Sequence, residues 1–242
     1  MARINKNKLI SGAIGNIVFR DVRKKQIIQQ KRKDIKQTTD TIISGSEFRK
    51  CSSWAKWLRI GLTSFLANHT DHYMYSRLAG QVYKAIQLNT ALPKGMRTPV
   101  NSTMDLLTGF EFNTYSPFTK YFAPEIAALL NDQNQVVVTV PAFNPKTAMR
   151  FAKGTEKAEL LLYVLGTNFE DNTKYTEAFT RLPIEKKEET LTETVWTSPV
   201  LPEGQLLLVC AKLFFYTTTK FTEKNYVNNK ECSPAKVIAV KN

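Results

Sequence analysis

Apolar runs of strand length fill the second half of the chain, and they constrain its fold more than any other feature of the 242 residues. QVVVTV occupies 135–140, AELLLYVLG 158–166, TETVWT 192–197, QLLLVCAKLFFYT 205–217 and KVIAV 236–240, with YTEAFTRL at 175–182 as one more candidate. Turn-forming stretches such as PEG and NNKE separate them. Short strands at fairly regular spacing between turn signals predict an antiparallel sandwich. Cys210 lies inside one of these runs, where core packing is its expected role.

The passage SPVLPEGQLLLVCAKLFF has the order of strand, Pro-bounded turn and strand common in immunoglobulin-like and fibronectin-like folds, although the Cys, Trp, Cys spacing of true immunoglobulin domains is absent. Ahead of it the pattern turns helical. Ser44 and Glu47 fit the S-x-x-E capping box. Phe48, Cys51, Trp54, Leu58, Leu62 and Phe65 then recur every three or four residues, as one face of an amphipathic helix requires. A second helix is expected from Thr70 or Asp71, with Met74, Leu78, Val82, Ala85 and Ile86 as its stripe, and the short link LANHT makes the two a helical hairpin. From 91 to 122, Pro93, Gly95, Pro99, Gly109 and Pro117 break the pattern into a connector that packs along the surface. Near the start, GAIGNIVF and QIIQQK flank the polar RDVRKK and read as a β-hairpin, with Ile17 and Phe19 on one face and Val18 and Arg20 on the other. The expected fold is therefore α+β, mainly β: a basic hairpin arm over 1–43, a helical hairpin over 44–90, the connector over 91–122 and an antiparallel sandwich over 123–242.

Charge is spread unevenly along the chain. Residues 1–60 carry 15 Lys and Arg against Asp21, Asp34, Asp40 and Glu47, while the whole chain has a formal net charge of +13. Such asymmetry bears on partners and solubility and leaves the fold open. It marks either a solvated basic face or a surface for nucleic acid, an acidic protein or an anionic surface. Three cysteines without CxxC spacing, Cys51, Cys210 and Cys232, point to reduced thiols. The start MARINKNKLISGAIG has neither an apolar signal core nor a small-residue cleavage site, and no apolar stretch approaches the ~20 residues of a membrane helix. A cytoplasmic protein, or one assembled from the cytoplasm, is expected.

Catalytic signatures are scarce. His69 and His72 flank Asp71 in HTDH, an H-x-x-H pair that lacks the third and fourth ligands of a zinc site. No G-x-S-x-G elbow is present, and the cysteines have no recognisable His partner. SGAIGN contains G-x-x-G but precedes a strand-like run, so the phosphate-loop patterns are not met. No cofactor, metal or small-molecule substrate is implied. What remains is the basic region. Arg20, Arg23, Lys24 and Lys25 crowd the hairpin turn, and Lys31, Arg32, Lys33 and Lys36 follow, at a density able to neutralise several phosphates. Base-reading motifs are absent; Trp54 and Trp57 could stack on bases, but Trp54 belongs to the helix stripe, where core packing is its expected role.

The stretch SGAIGNIVFRDVRKKQIIQQKRK, followed by TTDTIISGSEFRKCSSWAKWL and a Pro-and-Gly-punctuated β half, resembles a set of uncharacterised bacterial and phage-associated proteins of about this length. In them a Gly-x-x-Gly-x-Val-Val opening leads into a basic hairpin, an Asn-Pro-x-Thr stretch and a helix with a Gln-Arg-x-x-Phe start. Gly12, Gly15, Ile17, Val18, Thr38 and Phe48 match, whereas DIKQTTD lacks the Pro and Ser46 and Glu47 stand where the Gln-Arg pair would be. The resemblance implies this layout and carries no activity. The expectation is a non-enzymatic structural or interaction protein, a subunit of a phage-like or envelope assembly that associates with itself or with other proteins. Arg20, Arg23, Lys24, Lys25, Lys31, Arg32, Lys33 and Lys36 would meet an anionic partner, with Ile17, Phe19, Ile27 and Ile28 as apolar contacts. The alternatives are sequence-nonspecific nucleic-acid binding by the same arm and a metal-dependent hydrolase built on His69, Asp71 and His72.

Overall fold

The computed structural model describes residues 2–6, 8–31, 36–168 and 175–241. Two compact units divide the chain, Met1–Ile42 and Ile43–Asn242. The first holds β1 (Arg3–Ile4), β2 (Ile10–Ile14), β3 (Ile17–Val22) and β4 (Lys25–Gln30), an antiparallel sheet in sequence order. The expected hairpin is the β3–β4 half of this sheet.

Next comes α1 (Thr39–Gly61), then α2 (Thr63–Leu66), α3 (Met74–Gln87), a 3-10 turn at Asp105–Leu107 and α4 (Phe118–Tyr121). α1 starts earlier than the Ser44 capping box predicts, because Thr38 supplies the cap: its Oγ1 accepts from the Thr41 N–H at 3.3 Å and its carbonyl from Ile42 at 3.0 Å. Glu47 therefore lies within the helix, buried, and its Oε1 accepts the Gly95 N–H at 2.6 Å, which ties down the loop after α3. The buried residues of α1 are Glu47, Cys51, Ala55, Leu58 and Gly61, which centre on the expected face: Cys51 and Leu58 belong to both, Leu62 and Phe65 are buried beyond the helix end, and Phe48 falls at the rim. Phe48 consequently sits half in solvent with its ring edge-to-face on Tyr83 at 5.4 Å. The stripe of α3 is the expected one.

The remaining elements are β5 (Ala127–Leu130), β6 (Val136–Val140), α5 (Pro145–Ala148), β7 (Lys157–Thr167), β8 (Tyr175–Glu185), β9 (Thr194–Thr197), β10 (Leu206–Thr217), β11 (Asn225–Tyr226) and β12 (Ala235–Lys241). β10, β7 and β8 lie side by side in a five-stranded antiparallel sheet, with β11 and β12 both on the far side of β10. A separate three-stranded antiparallel sheet has the order β5-β6-β9. The second unit is thus α+β and mainly strand.

β7 and β10 are buried on both faces, so their alternating side chains serve two cores. Leu161, Tyr163 and Leu165 of β7 join Leu206, Leu208 and Cys210 of β10 in packing against the stripes of α1 and α3. Leu160, Leu162 and Val164 join Leu207, Val209, Ala211, Leu213 and Phe215 in packing against Ala128, Val136, Val138 and Val140 of the smaller sheet. Helices, five-stranded sheet and three-stranded sheet stack as three layers.

Residues 91–122 carry little regular structure, yet Met104, Leu107, Phe110 and Phe112 enter the helix-side core and Phe118 and Phe122 enter the other. On the way, the amides of Gly109 and Phe112 donate to the carbonyls of Val237 and Ala235 at 2.8 and 2.9 Å, and Val237 returns a bond to Phe110. The segment thereby covers the outer edge of β12. Among the described residues, no helix is long and apolar enough to cross a membrane.

Burial on both faces has a test in adjacent residues. Leu160→Ala and Leu161→Ala should each lower unfolding stability in urea by about 2–5 kcal/mol, since each opens a cavity in a different core. Were one face of β7 solvated, one of the two would be nearly silent.

Candidate docking surface

Local chemistry sets the N-terminal sheet. Ile14 pairs with Ile17, leaving Gly15 and Asn16 as a two-residue turn, and Gly15 takes φ +55. Val22 pairs with Lys25, leaving Arg23 and Lys24 as the next turn, at φ +54 and +61. Positive φ at both central positions is the pattern of a type I′ hairpin, a site that favours Asn-Gly. Two long cationic side chains held there cost roughly 1–2 kcal/mol each.

Register sorts the side chains. Phe19 pairs with Gly12 and Ile28, Ile17 with Ile14 and Gln30, and Asp21 with Gln26, so these residues share one face. Val18 pairs with Ala13 and Gln29, Arg20 with Ile27, and Val22 with Lys25, which forms the opposite face. Within β3, β4 and the paired part of β2, the first face holds no cation and Asp21 is its one charge, while the turn that carries Lys6 and Lys8 is fastened to it through Asn5. Asp21 accepts from Asn5 Nδ2 at 2.7 Å, while Gln26 accepts the Ile10 N–H and donates to the Ile10 carbonyl, both at 2.8 Å. These two side chains fasten the β1–β2 hairpin to the sheet. Gly12, at φ +120, lets β2 bend toward them.

None of the described residues of Met1–Ile42 is buried. Ile14, Ile17 and Ile28 stand 56%, 45% and 62% exposed around the half-buried Phe19. A small sheet gains stability from a covered apolar face.

The residues singled out from sequence fall into three groups. Ile17, Phe19 and Ile28 lie together on the cation-free face, whereas Ile27 lies opposite, beside Arg20 and on the face of Lys25. Arg23 and Lys24 form the tip. Lys31 follows β4, with its N–H on the Asn16 carbonyl at 2.6 Å, and Lys36 is exposed ahead of α1. Arg32 and Lys33 lie outside the described residues. Ile14 was missed by sequence reasoning. The signal for it was Gly15-Asn16 between two isoleucines, a turn between paired strands.

The HTDH motif serves the fold. Asp71 accepts from Arg77 and from the amides of Tyr73 and Thr114 at 2.9 and 3.1 Å. Burial pushes its carboxyl up, but the Thr114 amide, the Arg77 guanidinium and the Tyr73 amide outweigh this and hold it below the usual carboxylate range. The His69 carbonyl accepts from Asn113 at 3.4 Å, and the His72 ring lies edge-on to Tyr73 at 4.9 Å. Among the described residues, no group of three or more His, Cys, Asp and Glu is arranged to hold a metal ion. Cys51 and Cys210 are buried free thiols. Burial pushes Cys51 up to about 12 and raises Cys210 as well, which leaves both unreactive.

One buried cation escaped sequence reasoning. Lys212, fully buried on β10, donates from Nζ to the carbonyls of Phe65 and Leu66 at 2.8 and 2.9 Å and lies 4.6 Å from the Phe214 ring centroid. It closes the last turn of α2, where Ala67 and Asn68 turn left-handed. Burial pushes its ammonium down to about 7.

Comparison with protein-family models, with curated proteins and with solved structures finds no match for this chain.

Two expectations follow. Above about pH 7 the folded protein releases the Lys212 proton that the unfolded chain retains, so stability rises with pH. Unfolding midpoints between pH 7 and 8.5 should climb in the native chain and flatten in Lys212→Met. The range stops short of the ordinary thiol value of 9.0, above which Cys51 and Cys210, held protonated in the fold, reverse the slope. Second, Arg23→Asn with Lys24→Gly relieves the strained turn. Hydrogen exchange should report slower opening of β3 and β4, by about 1–2 kcal/mol or more.

Proposed function

We propose that the protein is a non-enzymatic interaction subunit of a larger assembly: the three-layer body is the scaffold and the N-terminal sheet is the docking element. The observation that carries this reading is a four-stranded sheet with no buried residue, in which Ile14, Ile17 and Ile28 stand open on one face of β2–β4, Arg20 and Lys25 lie on the other, and Arg23 and Lys24 form the tip. Electrostatic attraction through Arg20, Arg23, Lys24 and Lys25 would speed encounter, and apolar contact would hold the complex. The resemblance of the opening motif to phage-associated proteins supports an assembly component of phage-like or envelope type, by analogy. For the body, the sheet-on-sheet half with its Pro-bounded entry to β10 favours an immunoglobulin-like or fibronectin-like sandwich. The helical layer on the other face of the larger sheet would then be an addition to that plan.

A second reading, sequence-nonspecific nucleic-acid binding, is favoured by the placing of Arg20 and Lys25 on one face with Arg23 and Lys24 at the tip. Four or five phosphate contacts would lose ~10²–10³-fold in affinity between 50 and 200 mM salt. Titration of short duplex DNA at those two concentrations decides it, and absence of binding at low salt removes it.

The test of the docking reading is removal of residues 1–36. The body keeps both cores and should unfold at an unchanged urea midpoint, while every association of the full chain with another kind of molecule, DNA included, is lost. Such association that survives the truncation contradicts the reading.

A further inference from the structure

We infer that β8, the open edge of the five-stranded sheet, pairs antiparallel with β8 of a second copy about a two-fold axis at Phe179, so that the two sheets run on as one. The inference is independent of the docking reading above, which concerns the N-terminal unit.

The backbone supplies the first argument. Among the described strands β8 pairs with β7 alone, whereas the opposite edge of the same sheet is covered by the stretch from Gly109 to Phe112. The Lys186 N–H donates inward to the Glu156 carbonyl at 2.8 Å. By strand alternation the even residues of β8 then point their N–H and C=O groups at β7, and the odd ones point theirs away. Glu185 agrees, since its N–H turns outward to Glu188 Oε2 at 3.2 Å. Pro183, which has no N–H, also stands at an outward position, where it takes nothing from the β7 ladder. Outward N–H groups are left on Tyr175, Glu177, Phe179 and Arg181, and among the described residues no backbone carbonyl of another segment reaches them. A row of open groups on a strand of this length is a template for another strand.

The side chains decide which strand. Glu177, Phe179 and Arg181 stand opposite Leu165, Tyr163 and Leu161, so they share the helix-side face of the sheet. Reversed about Phe179, β8 is its own complement: Phe179 meets its copy, Glu177 meets Arg181 and Tyr175 meets Pro183. A two-fold axis shifted by one residue either way loses the Glu177–Arg181 match. Paired aromatics and opposite charges directly across an antiparallel ladder both favour pairing. A purely acidic or purely basic partner strand would satisfy one of Glu177 and Arg181 and oppose the other, whereas a second β8 satisfies both.

The formal charge of +13 opposes contact between copies in general, but this edge does not carry it. Within β8, Glu177 and Glu185 stand against Arg181. Nearby, Lys157 and Lys187 are ion-paired to Glu185, and Lys224 joins Arg181 on Glu159. Lys186 lies past the paired stretch. Arg181 holds Glu159 through Nη1 at 3.2 Å, and a guanidinium has further donors for a second carboxylate. Glu177 likewise has a second oxygen beyond the Oε1 that takes the Tyr163 hydroxyl. Phe179, 62% exposed at the centre, gains cover from its copy.

Cross-linking tests strand, register and symmetry together. Directly opposed residues of a hydrogen-bonded pair have Cα atoms ~5.5 Å apart, within disulfide reach. Mild oxidation should therefore link two copies of Phe179→Cys and leave Tyr175→Cys, which faces Pro183, as unlinked as the native chain. Light scattering on the full chain, from low micromolar to sub-millimolar concentration, should find a monomer–dimer equilibrium. Leu129→Lys, which adds a cation at an exposed site on β5, should retain it. Phe179→Lys sets that cation against its own copy and should weaken the dimer by at least about tenfold. Removal of 1–36 should leave the dimer in place. A native chain that stays monomeric throughout, equal behaviour of the two lysine variants, equal linking of the two cysteine variants, or a dimer lost with 1–36 overturns the inference. None of these results touches the docking reading, which fails only if association with another kind of molecule survives removal of 1–36.

Discussion

Pairing between β7 and β10 is the interaction on which the rest of the body depends. The two strands are aligned over the whole length of β7, and each is shielded from water on both faces. Alternation of side chains then requires two cores, one under the helices and one under the smaller sheet. It also creates a problem at Lys212, where a cation on β10 has no route to solvent. The end of α2 answers it, since the carbonyls left over by that helix accept from the ammonium. Glu159 poses the same problem on β7. It is nearly buried and takes bonds from Lys224, Tyr226 and Arg181 where the sheet emerges from beneath the helices. Burial alone would push its carboxyl up. The bonds from Lys224 and Tyr226 and the charges of Lys224 and Arg181 bring it below the usual value.

The N-terminal sheet obeys a different balance. Its four strands pair in sequence order, and its first hairpin is fastened by Asn5, Asp21 and Gln26, yet none of its described side chains is buried. Hydrogen bonds contribute only about 1 kcal/mol each in net terms, so the stability of such an element must come largely from apolar surface removed from water. Positioning cations at a strained turn adds to the cost.

Much of this was legible in the sequence. The apolar runs that became β6 to β10 and β12, the stripe of α3 and the opposed facing of Ile17 and Arg20 all follow from periodicity and composition. The third layer was legible in principle: LLLVCALFF-like continuity in β10, with Lys212 as its one interruption, exceeds the alternation of a strand with one wet face. Other features could not be read. Thr38 and Ser44 both satisfy cap chemistry, and only tertiary contact of Glu47 with Gly95 decides against the later start. Prolines and glycines in 91–122 hid an aromatic segment whose Phe110, Phe112, Phe118 and Phe122 are shared between two cores, because such positions follow no helix or strand period. At the site, the clustering of cations was visible, but the placing of Arg20 and Lys25 on one face and of Arg23 and Lys24 at the tip needed the register.

The central claim is that the N-terminal sheet draws its cover from association while the body is complete by itself. Amide hydrogen exchange on the full chain tests it most directly. The account predicts that β3 and β4 exchange much faster than β7 and β10. Protection of β3 and β4 equal to that of β7 and β10 would contradict it.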